Sequence, residues 1–301
     1  MADLHRIEHA TVGVEDLDAA LSFYVDALGF VELERRDGVV YLGCGRDDNY
    51  DLGLIEGDTG IEHFAVRASG PEVVDAYEQR LQSLEVPAER TDGDEPNQAA
   101  GVRFRLPSGV PMEVVAVGDD EYQHYEEPRL GRGGQAPADV DHVQFLTPDV
   151  LADLEFLRDV AGLEPSEIAG PRDDPEIAFA RCNVFHHDVA LKSAPALGEA
   201  DETSLHHVAF GFDSVDHLAG FVDAAVGAGA EFERGIGRHH GGNNIFAYLW
   251  TPGGNRLELC TQMATISHEG PEYVEDYESA TTAWGPAAPD SFGEGSGLIE
   301  R

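Results

Sequence analysis

The run Ile7-Glu8-His9-Ala10-Thr11-Val12 is short, alternates apolar and polar residues, and carries a histidine at its centre. The chain repeats it three times, as Ile61-Glu62-His63-Phe64-Ala65-Val66, Val140-Asp141-His142-Val143-Gln144-Phe145 and Leu205-His206-His207-Val208-Ala209-Phe210. Alternation of this kind predicts a strand with one buried face. A helical stripe follows each copy. In the first, Asp16 is placed to cap Leu17, Ala20, Leu21, Tyr24 and Leu28, with Gly29 as the stop; Asp149 and Ser214 occupy the same place in the third and fourth. Short apolar runs between Gly-rich or Pro-rich turns complete each unit, for example Val31 to Glu34, Val39 to Cys44 and Pro111 to Val117. Four units of roughly fifty to sixty residues, each βαβββ, are the expectation. The fold class is α+β, in two tandem modules of two paired βαβββ units. The modules are residues 1–118 and 139–263, joined by a linker at 119–138 and followed by a C-terminal tail or lid at 264–301.

Composition narrows the function. Fifty-eight acidic residues stand against 19 basic ones, for a formal charge of -39, and Lys192 is the only lysine. Such a field repels phosphate backbones and anionic bilayers, so neither nucleic acid nor a membrane is expected as a partner. The acid excess runs along the whole chain, the pattern of a halophilic surface whose self-repulsion concentrated salt screens. Three scattered cysteines, Cys44, Cys182 and Cys260, argue against a disulfide framework. The first residues, MADLHRIEHATVGVEDL, contain no signal-peptide core. The expected location is the cytoplasm, with the chain forming a homo-oligomer.

Chemistry concentrates between Arg234 and Glu258, RGIGRHHGGNNIFAYLWTPGGNRLE. A Gly-rich loop holds His239 and His240, Ile245 to Trp250 reads as a strand containing Tyr248, and Arg256 to Cys260 pairs with it across a Pro-Gly-Gly-Asn turn. Alternation puts Leu257 and Leu259 on one face and Glu258 on the other, where a carboxylate needs a cation or hydrogen-bond donors. His142, His207 and Glu258 could therefore converge in the concavity of a curved sheet. Two histidines and one carboxylate leave open positions on a metal, as in non-haem Fe(II) oxygenases.

The four βαβββ units with these strand histidines resemble the vicinal oxygen chelate superfamily, the fold of glyoxalase, bleomycin resistance proteins and dihydroxybiphenyl dioxygenase. The second half is similar to its type I extradiol catechol dioxygenases, in particular the homoprotocatechuate 2,3-dioxygenase branch. Asp141-His142-Val143, His187-Asp188-Val189-Ala190, Leu205 to Phe210, and Gly237-Arg238-His239 through Asn244, Phe246 and Tyr248 to Glu258 carry the resemblance. It implies that His142, His207 and Glu258 bind Fe(II), with Mn(II) as the alternative. His187 would stand at the oxygen site, and His239 and Tyr248 at a bound catechol. The implied reaction is ring cleavage by O2 beside the vicinal hydroxyls, giving a hydroxymuconic semialdehyde-type product in aromatic hydrocarbon catabolism. Gln144, Arg234 and Arg238 are further substrate-binding candidates.

Neighbouring residues compete for these places: His206 with His207, His240 with His239, and His186 with His187. Strict alternation sends His206 to the face opposite His207. His9, His63 and Glu113 repeat the ligand pattern in the first half. No histidine precedes Glu113 in its loop, however, and Arg103 stands where Tyr248 would. The first set is then vestigial or holds a second, non-catalytic metal. In the tail, Trp284-Gly285-Pro286 to Pro289 and Ser291-Phe292 resemble the branch's lid, but Ala280 and Thr281 replace its basic pair, which argues against a carboxymethyl catechol. The rival functions on this scaffold are a glyoxalase-like lyase or isomerase and a non-catalytic protein that binds an aromatic ligand.

Overall fold

The computed structural model describes residues 3–47, 49–118, 135–195, 202–275 and 281–299. Most of the expected linker, and Ala280, lie outside them. The first unit comprises β1 (Leu4–Val14), α1 (Leu17–Leu21), β2 (Val31–Arg36), β3 (Val39–Gly43) and β4 (Leu52–Glu56). The second comprises β5 (Gly60–Ala68), α2 (Pro71–Ser83), β6 (Ala88–Arg90), β7 (Gln98–Arg105) and β8 (Pro111–Val117). In the third are β9 (Asp139–Thr147), α3 (Val150–Phe156), β10 (Glu164–Ala169), β11 (Ile177–Arg181) and β12 (Val189–Ser193). The fourth has β13 (Ser204–Gly211), α4 (Val215–Gly227), β14 (Glu231–Arg238), β15 (Ile245–Trp250) and β16 (Arg256–Thr261). The tail adds β17 (Glu272–Val274) and β18 (Gly297–Leu298). All four units are βαβββ.

Asp16, Asp149 and Ser214 each accept a hydrogen bond from the backbone N–H three residues on, which sets where α1, α3 and α4 begin. α1 and α3 are shorter than their apolar stripes because each widens into a π-helical turn, at Ser22–Ala27 and Leu157–Ala161. Gly162, at φ 76°, then takes the left-handed conformation that stops the second of them.

Two nine-stranded sheets result. The first runs β2-β3-β4-β1-β5-β8-β7-β6 with β18 added to β5, and the second runs β14-β15-β16-β13-β9-β12-β11-β10-β17. In each, the two histidine-bearing strands pair antiparallel at the centre, β1 with β5 and β9 with β13. Their parallel neighbours, β8 on β5 and β16 on β13, bring in Glu113 and Glu258. The apolar faces of both sheets share one core. Phe64 meets Phe145 at 5.5 Å, Phe30 meets Phe210 at 5.4 Å, and the Tyr77 hydroxyl donates to the Ala161 carbonyl at 2.7 Å.

The four central strands depart from strict alternation at the same place. Their ladders skip Glu8, Glu62, Asp141 and His206, the residue before each histidine. Core residues flank each skip: Ile7 and Ala10, Ile61 and Phe64, Val140 and Val143, Leu205 and Val208. A bulge of this kind turns two consecutive side chains to one face. His206 is therefore on the same side as His207, with their Nδ1 atoms 2.7 Å apart. This overturns the expectation from alternation, because the extra residue breaks the two-residue period locally.

Candidate metal centre and its pocket

β9 delivers His142, β13 delivers His207 and β16 delivers Glu258 to one point on the concave face of the second sheet. His142 Nε2 lies 3.2 Å from Glu258 Oε2 and 3.3 Å from His207 Nε2, and His207 Nε2 lies 3.1 Å from the same oxygen. All three side chains are buried. Tautomers follow from their outer partners. Asp141 Oδ1, 2.7 Å from His142 Nδ1, accepts that proton and leaves Nε2 with a lone pair. His206 Nε2 faces the Phe292 carbonyl at 2.9 Å, which only accepts, so its proton sits there. His206 Nδ1 is then the acceptor for His207 Nδ1–H, and His207 Nε2 also points inward unprotonated.

Three inward lone pairs within 3.3 Å of one another repel unless a cation stands among them. The donor set of two imidazoles and one carboxylate suits a divalent transition ion. With a proton as the only cation, burial opposes charging His142, but Glu258 and Asp141 outweigh it and raise its pKa to about 10. Burial lowers that of His207 to about 4. The residues therefore fit a metal. Glu258 is held for it by Asn244, whose Nδ2 donates to Oε1 at 3.0 Å, and by the Tyr248 hydroxyl, which lies 2.7 Å from Oε2.

A cavity of about 580 Å³ opens on this point. His142, Glu258, His187, His239, Tyr248 and Gln144 line it, together with Lys192 and Arg234. Its roof comes from the tail, including Thr282, Pro289 and Phe292. His187, at the end of the loop before β12, packs its ring 4.3 Å from His142 and 4.9 Å from Phe179. Burial, then His142 and His186, hold its pKa well below the usual value, so the ring is neutral. His186 turns away, with Nε2 3.4 Å from Glu167 and Nδ1 3.0 Å from His187 Nδ1.

His239 stacks on Phe246 at 4.1 Å, while His240 is exposed. His239 Nδ1 is 2.6 Å from the Thr281 carbonyl and must carry a proton to bond it. Burial lowers its pKa, so the neutral ring presents Nε2 as an acceptor, 2.9 Å from the Tyr248 oxygen. The single Tyr248 proton thus has two acceptors, His239 Nε2 and Glu258 Oε2. Burial, then Glu258, keep that phenol well above its ordinary pKa.

Arg234 lies under Phe246 and Phe292, with Nη2 donating to Thr282 Oγ1 at 2.8 Å. Arg238 does not line the cavity. Its guanidinium donates to the Asn243 carbonyl and to Gln262 Oε1, and its backbone pairs with Trp284. Sequence reasoning missed Lys192 as part of the site and did not assign Asn244, Asp141 and His206 their roles as hydrogen-bond partners of the donor set; Phe292 belongs to the segment read as a lid. Lys192 had one signal, as a single lysine in a strand otherwise apolar. In the first half, Arg103 faces Glu113 in the register where Tyr248 faces Glu258.

Among the described residues, no helix is long and apolar enough to cross a membrane. The chain is 25% identical over 285 residues to the manganese-dependent 2,3-dihydroxybiphenyl 1,2-dioxygenase of Geobacillus genomosp. 3, which spans 86% of this chain and 85% of that protein. It is 24% identical over 194 residues, 61% of this chain and 62% of the other, to an iron-dependent extradiol dioxygenase of Rhodococcus jostii. The crystal structure of homoprotocatechuate 2,3-dioxygenase from Arthrobacter globiformis superposes with a TM-score of 0.83 at 27% identity, covering 99% of this chain and 94% of that one. Residues 6–114 and 139–259 match the Glyoxalase/Bleomycin resistance protein/Dioxygenase superfamily, and this chain belongs to it.

Proposed function

We propose that this protein is an extradiol dioxygenase that opens a catechol-type ring beside its vicinal hydroxyls, using O2 and an ion held by His142, His207 and Glu258. Fe(II) is the favoured ion and Mn(II) the alternative; the ligand set suits both, and the relatives include a manganese-dependent and an iron-dependent enzyme. The observation that carries the reading is the convergence of His142 Nε2, His207 Nε2 and Glu258 Oε2 at the floor of a cavity that His187, His239 and Tyr248 flank. When bound, the ion supplies positive charge that favours loss of the catechol protons and the redox chemistry that O2 requires.

The side chains would divide the remaining work. His187, neutral and with no hydrogen bond to Nε2 among the described residues, takes a proton from the substrate and returns it later as a general acid. Tyr248 aims its hydroxyl at the substrate oxygen as the ring loses planarity, and His239 accepts or returns that proton at Nε2. Asp141 and His206 hold the ligand imidazoles in the tautomer that keeps Nε2 available. Gln144 borders the substrate from β9.

Lys192 and Arg234, 4% and 5% exposed, put two cationic groups in the cavity lining. A catechol bearing an anionic substituent suits them. The missing basic pair of the tail bears less on substrate charge than the sequence suggests, because β12 supplies a cation instead. A lyase or isomerase on this scaffold would have no use for His187 or Tyr248.

The test is anaerobic reconstitution with Fe(II) in concentrated KCl, followed by a panel of catechols and air. A yellow ring-opened product with matching oxygen uptake is expected, lost in His207→Ala and Glu258→Ala together with the metal. Stable binding of catechols with no oxygen uptake under Fe(II) or Mn(II) would overturn the proposal.

A further inference from the structure

The first sheet holds a second convergence of donor atoms, and one member comes from a loop that the sequence pattern did not single out. His9 Nε2 and His63 Nε2 are 3.0 Å apart. Glu95, from the loop before β7, places Oε2 3.2 Å from His9 Nε2 and Oε1 3.2 Å from His63 Nε2. Glu113 Oε2 lies 3.4 Å from His63 Nε2. We propose that these four side chains form a second divalent-cation site, structural and closed to substrate.

The outer partners of His63 and Glu113 repeat the logic of the second half, while His9 Nδ1 is buried without a hydrogen-bond partner among the described residues. His63 Nδ1 faces the Glu62 carboxylate, as His142 Nδ1 faces Asp141, so the Nε2 lone pair points inward. Gln98 Nε2 donates to Glu113 Oε1 at 2.7 Å, as Asn244 does to Glu258 Oε1, leaving Oε2 toward the cluster. Glu95, 7% exposed, keeps Oε2 without a hydrogen-bond donor. A buried carboxylate oxygen with no donor is costly, and a cation would satisfy it.

Charge counting points the same way. Glu62, Glu95 and Glu113 bring three carboxylates, and Arg103 is the guanidinium among them, bonding each at 2.8 to 3.1 Å; its Nη2 also lies 3.3 Å from His63 Nε2, so an ion bound there would displace that nitrogen. With neutral imidazoles the cluster keeps two negative charges, which one divalent ion cancels. A void of about 10 Å³ beside His9, Tyr50 and Glu95 has room for roughly one water, which the ion could retain as a ligand.

Arg103 explains why the site would carry no chemistry. It takes the register of Tyr248, and neighbouring Glu62 and Phe104 join it along a cavity that none of the four donor residues lines. Four protein ligands with no access for substrate is the pattern of a structural metal.

The test strips the full-length protein with a chelator in concentrated KCl and reloads it anaerobically with Mn(II). Metal is then counted by elemental analysis after desalting. Two ions per chain are expected, falling to one in Glu95→Gln, in His63→Ala and, separately, in His207→Ala. Oxygen uptake with catechol should stay within about twofold of wild type in Glu95→Gln. One ion per chain, lost in His207→Ala and unaffected by Glu95→Gln, would overturn the proposal and leave Arg103 as the cluster's cation. Should His63→Ala fail to fold, the isosteric Glu95→Gln still decides. Two bound ions without turnover would refute the dioxygenase reading and leave this one standing.

Discussion

Tyr248 stands opposite Glu258 in the β15–β16 ladder, and Arg103 stands opposite Glu113 at the same place in β7–β8. One side chain therefore separates a carboxylate with an aromatic hydroxyl above it from a carboxylate capped by a guanidinium. Tyr248→Phe should keep its metal, because the phenol is not a ligand, while turnover falls by about 10²-fold from loss of a donor to the developing charge. Metal analysis beside oxygen uptake checks this. Equal loss of metal and activity would assign Tyr248 to the ion instead.

Asp141 should matter for metal retention without touching the ion. Asp141→Asn replaces an acceptor for His142 Nδ1–H with an amide that can rotate its NH2 inward, so the imidazole loses its fixed tautomer. Affinity for Fe(II) or Mn(II) should weaken by roughly 10- to 100-fold. His206→Leu, which removes the acceptor for His207 Nδ1, should do the same. Metal titration of the three proteins measures both effects.

Lys192 should make the substrate preference depend on pH. Burial, then Arg256 and Arg234, lower its pKa to about 8. Below that pH the amine is a cation, and above it the charge disappears. KM for a catechol with an anionic substituent should therefore rise as pH passes upward through 8, whereas KM for unsubstituted catechol should not follow that titration. Lys192→Met should abolish the difference between the two profiles.

The four-unit architecture could be read from the sequence because each unit repeats a histidine-centred alternating run, a capped helix and short strands between turns. The convergence of His142, His207 and Glu258 could be anticipated because Glu258 is an anomalous carboxylate between Leu257 and Leu259. The bulges were out of reach: the skipped residues are Glu, Glu, Asp and His, ordinary polar residues whose extra count shows only in the pairing. Lys192 was missed for another reason, and Phe292 was legible only as part of a lid. They enter the pocket from β12 and from the tail, and only the tertiary fold brings those segments beside β14 to β16. Glu95 stayed hidden similarly, in a loop whose charge resembles the rest of an acidic surface.

The shared core predicts that the halves unfold together. Phe64 and Phe145 face each other across the two sheets, both fully buried. Phe64→Ala should cost about 3–5 kcal/mol and lower the midpoint for loss of structure in both halves equally. Chemical denaturation followed by probes placed separately in each half tests this, with two separated transitions as the contrary result.

Salt should act in the opposite direction to its usual effect on a surface ion pair. With a formal charge of -39, repulsion among carboxylates dominates, and screening relieves it. Tm should climb as KCl is raised from millimolar to molar concentrations, and an indifferent Tm would remove the halophilic reading.

Residues 296–298 tie the halves in a way that assigns work to the first. Gly297 and Leu298 zip onto Gly60 and Ile61 of β5, Ser296 exchanges two backbone bonds with Leu205, and Phe292 a few residues earlier covers the cavity. The roof over one half is thus moored in the other. A copy with no part in the proposed reaction would still supply the anchorage without which the cavity of the other would have no ceiling, and deleting it would expose that cavity to water even with every donor side chain in place.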